Sequence, residues 1–191
     1  MNDIQNVIER RMVADNLRGS LEASLEDRVD RYLEINKPGV VADHHFAVAS
    51  AECIRLYTDG YFLSAVMVAQ AVAEGMRNFI IKRNEIKLDD KVKWPEAADL
   101  LVEKGIITKD CADAFGRIYN SFRNDLHHMW STVATIPFPE LAKSNIHDLT
   151  AIEREVFASE FGKDGRLILA NPKYWDARED GKVRAFLRLE P

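Results

Sequence analysis

Up to about residue 145 apolar residues recur at helical spacing, with helix-end signals between the segments. "DIQNVIERRMVADNL" and "SLEASLEDRVDRYLEI" predict two amphipathic helices separated at Gly19, the second stopped near "NKPG". Asp43 is placed to cap a helix over "HHFAVASAECIRLY" that ends at Asp59 and Gly60. "YFLSAVMVAQAVAEGMRNFIIKR" predicts a longer helix, apolar nearly all round in its first half, as the central helix of a bundle is. In "KWPEAADLLVEKG" Pro95 falls near a first helical position and Gly105 just past the end. Thr108 then caps one continuous helix over "KDCADAFGRIYNSFRNDLHHMW".

The period changes towards the C-terminus. "TIPFPEL" interrupts the pattern with two prolines, and "DLTAIEREVFASEF" predicts a further helix before a turn at "GKDG". "RLILA" and "KVRAFLRLE" alternate apolar and polar residues, which predicts a β-hairpin closed by the long loop "NPKYWDAREDG". The expected fold is all-α: a helical bundle over residues 1–145, with a helix and a small C-terminal β-hairpin appendage over 146–191. No internal repeat is present.

With 47% hydrophobic residues among 191, the chain can bury one sizeable core. A formal charge of −5 argues against an extended surface for coating nucleic acid and leaves room for a local basic groove. Cys53 and Cys111 form no CxxC pair and lie in apolar helical patterns, so buried inert thiols are expected. The longest apolar stretch, from Tyr61, contains Ser64 and Gln70 and falls short of the roughly 20 residues that span a bilayer. The start has no signal-peptide pattern, so a cytoplasmic protein without membrane contact is expected. The five His, His44, His45 and His147 among them, show no HxxxH, HExxH or Cys/His spacing, so neither a metal nor another cofactor is expected. GxSxG and P-loop patterns are absent as well.

One stretch concentrates reactive groups: "SFRNDLHHMW", residues 121–130. Stepped at about 100° per residue, Phe115, Ile118, Phe122, Leu126 and Met129 form one stripe that faces a core. Arg117, Asn120, Arg123, Asn124, His127 and His128 fall opposite it. Arg123 and His127 are an i, i+4 pair, as are Asn124 and His128. An imidazole exchanges protons near neutral pH, and a guanidinium fork fits phosphate oxygens. Those are the parts that cleave a phosphodiester without a metal. A solvated or partner-facing helix surface has the same composition.

"RNDLHH" resembles the Arg-x4-6-His signature of the HEPN superfamily, with Arg123, Asn124 and His128 at the matching positions. The surroundings are similar too. A "DGYFLSAV" entry leads into an apolar helix carrying "AQAVAEGMRNFI", and an "LLVEKGIIT" spacer precedes the motif. The resemblance covers about residues 40–131. It implies a compact HEPN-like helical bundle and, in active members, a metal-independent endoribonuclease that works as a homodimer with two motif helices apposed. In that scheme Arg123 stabilises the scissile phosphate, Asn124 orients it or its neighbours, and His128 is general acid or base. The RNA's own 2′-OH is the nucleophile. His127 competes for the acid–base role through its relation to Arg123. A setting in stress response or phage defence, with an antitoxin or other protein partner, is implied as well. Relatives paired with nucleotidyltransferase antitoxins carry a Tyr two places after the motif His, where this chain has Trp130. Other HEPN-like proteins bind RNA or protein, or dimerise, without catalysis.

Further residues have two readings each. Glu74, i, i+4 from Gln70 on the apolar helix, either pairs locally with Arg77 or Asn78, or supports Arg123 or a His from behind. Arg77, Lys82, Arg83 and Lys87 crowd a helix C-terminus, where cations offset the macrodipole; Lys82 and Arg83 are also candidates for an RNA groove, as is Arg117 on the polar face. Tyr174, Trp175 and Phe186 either pack on the bundle or a partner's sheet edge, or stack on single-stranded RNA.

Overall fold

The computed structural model describes residues 3–88, 92, 94–176, 178–180 and 182–188, and the chain divides into two units, Met1–Glu34 and Ile35–Pro191. The first unit holds α1 (Asp3–Ala23) and α2 (Leu25–Glu34). Gly19 does not separate them; it lies inside α1. The break falls at Ser24, whose hydroxyl donates to the carbonyls of Ser20 and Leu21, both at 3.1 Å. A serine that turns back on the preceding turn competes with the helical ladder more effectively here than a glycine with no side chain. Between residues 4 and 34 no side chain is buried, and Ile4, Ile8, Leu17 and Leu33 are exposed.

In the second unit, β1 (Val40–Ala42) leads into α3 (Ala47–Thr58) and α4 (Phe62–Arg83). Gly60, at φ 85°, makes the tight reversal between the two helices that a side chain would strain. α4 packs on α3, on α6 (Lys109–Tyr119) and on α8 (Phe138–Val156). It buries Ala65, Val66, Ala69, Val72, Ala73, Met76 and Ile80. An apolar circumference is what a helix surrounded by others requires, so the central position follows from the sequence pattern. α5 (Trp94–Glu103) has Pro95 as its second residue and closes at Gly105, φ 64°. Thr108 caps α6, its hydroxyl accepting from the Cys111 N–H at 3.2 Å.

Asp43 does not cap α3. The helix starts at Ala47 with Phe46 as its N-cap residue and no side-chain cap bond. The Asp43 N–H instead donates to Arg184 O at 3.1 Å, extending a sheet. That sheet pairs β1 antiparallel with β4 (Ala185–Leu187), in the register Val40↔Leu187, Val41↔Phe186 and Ala42↔Ala185. β3 (Leu167–Leu169) pairs with β2 (Ser159–Phe161). Both predicted C-terminal strands therefore exist, but not as one hairpin. The loop between them docks on the helices, with Tyr174 2% and Trp175 0% exposed, and so carries the strands apart. Those two rings are thereby removed from any stacking role. Leu189 and Glu190, the end of the second predicted strand, lie outside the described residues.

The prolines of "TIPFPEL" start α8 rather than break it: Pro139 stands in its first turn, where no helical N–H is lost. The helix runs unbroken past residue 145, so the boundary drawn there falls inside an element. Predominantly helical architecture with two small two-stranded sheets is the result. Among the described residues no helix is long and apolar enough to cross a membrane.

Candidate functional site

The segment carrying Arg123 and the two imidazoles is not a continuation of α6. That helix ends at Tyr119, Phe122 adopts a left-handed conformation (φ 55°), and a separate six-residue helix, α7 (Arg123–His128), follows. Met129 closes α7, also left-handed at φ 49°. The cause is a buried polar contact. Gln70 of α4 donates through Nε2 to Ser121 O at 2.7 Å and to Ser121 Oγ at 2.9 Å. Asn145 of α8 donates to the same Oγ at 3.1 Å, and the hydroxyl donates to Ile118 O at 2.5 Å. The Gln70 side chain thus takes the Ser121 carbonyl that would have continued the ladder, the Ser121 hydroxyl takes that of Ile118, and Asn145 holds the hydroxyl in place.

The kink overturns the single helical wheel. Phe115, Ile118 and Leu126 are buried as expected, whereas Phe122 is 45% and Met129 62% exposed. Each left-handed non-glycine residue costs about 1–2 kcal/mol, which the buried Leu126 and the Ser121 network must offset. The outcome is a short helix presented at a fixed angle, with Asn124, His127 and His128 exposed and Arg123 half-buried.

Arg123 is held from behind. Its NH2 lies 2.5 Å from Glu74 Oε2, and its guanidinium sits 5.6 Å over the Tyr119 ring. Glu74 also lies 3.8 Å from Arg77 NH2 through Oε1. Both readings of Glu74 are therefore present in one carboxylate, with the contact to Arg123 the closer; Asn78 accepts from Arg77 instead, at 2.8 Å. A cavity of ≈ 20 Å³, space for a single water, lies among Gln70, Glu74, Arg77, Trp94, Tyr119 and Arg123. Gln70 is 4% exposed and its Oε1 has no hydrogen-bond partner among the described residues. Beyond α7, the His128 and Trp130 rings stack at 5.7 Å and 21°. Asp125 accepts from the Thr132 hydroxyl.

The remaining candidates lie elsewhere. Arg117 is tied to Asp148 of α8 through NH2 at 2.7 Å and Nε at 3.0 Å, away from the partners of Arg123. Lys82 and Arg83 occupy the last turn of α4. Arg83 pairs with Asp176 and lies 5.2 Å over Phe79, and Lys82 is exposed. His44 is enclosed by Phe46, Phe79 and Phe157, with Nε2 2.7 Å from Tyr174 O. Both thiols are buried and free, and burial pushes both pKa values up, which leaves them unreactive. Among the described residues no three His, Cys, Asp or Glu side chains converge as metal ligands.

Tyr119, Ser121 and Asn145 have no part in the sequence reading of the site. The run "YNSF" carries the one usable signal, since Asn and Ser favour turns over helix interiors. Compared with models of protein families, with curated proteins and with solved structures, the chain matches none.

Proposed function

We propose that the chain is a metal-independent endoribonuclease of HEPN type that works as a homodimer. The observation that carries this reading is the 2.5 Å contact of Arg123 with Glu74 at the start of a helix whose two imidazoles face solvent. Glu74 engages a terminal nitrogen of the guanidinium, and the rest of the fork is available to a phosphate. Arg123 and Asn124 bind the scissile phosphate. One imidazole takes the proton of the adjacent 2′-OH as its oxygen attacks phosphorus. The P–O5′ bond breaks, a second imidazole protonates the departing 5′-oxygen, and Arg123 offsets the charge gathering on phosphorus. The products are a 2′,3′-cyclic phosphate and a 5′-hydroxyl, so no metal or redox partner enters the balance.

The spacing on α7 supports a two-chain site. On one α7, Arg123 and His128 are separated by about 140° and roughly 7.5 Å along the axis. A two-fold axis brings the guanidinium of one copy to the imidazole of the other. His127, four places from Arg123, is the alternative acid or base.

A second reading is favoured by the exposed Phe122, Met129 and Trp130 beside the motif: a non-catalytic module that dimerises and binds RNA or a protein. Incubation with single-stranded RNA in excess chelator separates the two. Cleavage to cyclic-phosphate ends, lost in both Arg123→Ala and His128→Ala, supports the nuclease, and binding without cleavage supports the module. His127→Ala in the same assay assigns the imidazole.

A further inference from the structure

Of the three tryptophans, Trp94 and Trp175 are buried, and Trp130 is 54% exposed. An indole left open to water forgoes a large burial gain, and this one is not on a loose loop. The Trp130 backbone N–H donates to Asp125 O at 3.1 Å, and the Trp130 carbonyl accepts from Val133 N at 3.0 Å, opening the 3₁₀ turn Ser131–Thr135. The backbone is fixed on both sides of the ring. The ring itself lies 21° from parallel with His128 at 5.7 Å between centroids, an offset stack that leaves its other face free of any ring among the described residues.

The neighbours narrow the ligand. The six residues before Met129 supply one guanidinium and two imidazoles, and the nearby carboxylates are engaged: Glu74 by Arg123 and Asp125 by Thr132. A flat π face seven residues from a guanidinium in the same short segment offers the two groups that an unpaired base and its phosphate require. The other exposed apolar side chains of the stretch, Phe122 and Met129, would suit a protein partner as well, and titration with oligonucleotides separates that occupant from RNA. A duplex keeps its bases inside its own stack and cannot offer one to the ring.

We propose that Trp130 is a base-stacking platform, and that the site takes an unpaired purine nucleotide next to the phosphate held by Arg123. This rests on the reading of the site as an RNA-cleaving one. The base lies on the indole face opposite His128, forming an imidazole–indole–base stack. Purines are preferred because the larger ring system stacks more strongly.

The test is a fluorescence titration of the full-length protein with 2′-O-methyl oligoadenylate, 2′-O-methyl oligocytidylate and a blunt RNA duplex. The methyl ethers remove the nucleophile, so binding is read without cleavage. Because the other two indoles are buried, quenching reports Trp130. The adenylate is expected to quench the emission and to bind most tightly. Trp130→Ala is expected to weaken it about 5- to 100-fold, and Trp130→Phe to keep part of the affinity, with circular dichroism unchanged in both. Equal binding by Trp130→Ala and the parent protein, or no quenching by any oligonucleotide, overturns the platform. So does a blue shift of the emission with protein concentration alone, which would mean that a second copy covers the ring. Quenching without cleavage of unmodified RNA leaves the platform standing and removes the nuclease; undiminished cleavage by Trp130→Ala does the reverse.

Discussion

The molecule contains two Arg–Glu pairs of nearly equal length in opposite surroundings. Arg188 NH2 and Glu153 Oε1 are 2.6 Å apart with side chains 2% and 1% exposed; Arg123 and Glu74 are 2.5 Å apart and 32% and 38% exposed. Around the first pair Ser50 donates to Glu153 at 2.6 Å and accepts from Arg188 at 2.7 Å. Glu153 also takes a second guanidinium nitrogen at 2.7 Å. That cluster joins α3, α8 and the segment after β4, and little of it remains open to anything else. The second pair joins α4 to α7 and faces solvent. Identical chemistry thus serves as a lock where water is excluded and as a held but accessible cation where it is not. Distance alone does not tell the two apart; burial does.

The largest expected effect breaks the lock. Glu153→Ala strands the Arg188 charge in the core and should lower stability by about 3–5 kcal/mol in urea unfolding. Replacing Glu153 and Arg188 together with Met should recover most of that loss, since no charge is then left buried. A loss below about 1 kcal/mol for Glu153→Ala would erase the distinction between the pairs. Glu74→Gln sharpens it from the other side. Stability should change by less than about 1 kcal/mol, while the proposed RNA cleavage falls on the order of 100-fold as Arg123 loses its orientation, with the proposed dimer intact by light scattering. Met129→Gly relieves one left-handed residue at the end of α7 and should raise stability by about 0.5–1 kcal/mol, whereas Met129→Val should lower it.

The smallest effect concerns His44, whose ring is half-buried among aromatic side chains. Burial holds its pKa below the ordinary 6.5, against the opposing hydrogen bond to Tyr174 O. Between that lowered value and 6.5 the unfolded chain binds more protons than the folded one. Stability therefore rises with pH through this window and is lost as pH falls below 6.5. Urea midpoints at about pH 5.5 and about pH 7.5 should differ in that sense, and His44→Gln should reduce the difference.

Legibility in the sequence follows the range of the interactions. α3 to α6 could be read from their period, because each helix buries one face. Thr108 and Gly105 mark helix ends by local chemistry and were equally legible. The end of α6 was not, because Ser121 is turned by Gln70 and Asn145, 51 and 24 residues away. A helical wheel over residues 110–130 contains no trace of either. The pairing of β4 with β1 and the Arg188–Ser50 contact across 138 residues are of the same kind. At the site, Glu74 was visible as a carboxylate needing a partner, and the choice between Arg77 and Arg123 needed coordinates.

In the proposed nuclease the guanidinium and imidazole of one site come from two chains. Arg123→Ala and His128→Ala, each inactive alone, are mixed under conditions that exchange subunits, and cleavage of single-stranded RNA is followed in excess chelator. Half of a random mixture is heterodimer, and each heterodimer regains one intact site, so about a quarter of the parent activity should return. A mixture as inactive as its components, beside a parent protein that cleaves, would contradict the shared site, and a parent protein that leaves the RNA intact would contradict the nuclease itself.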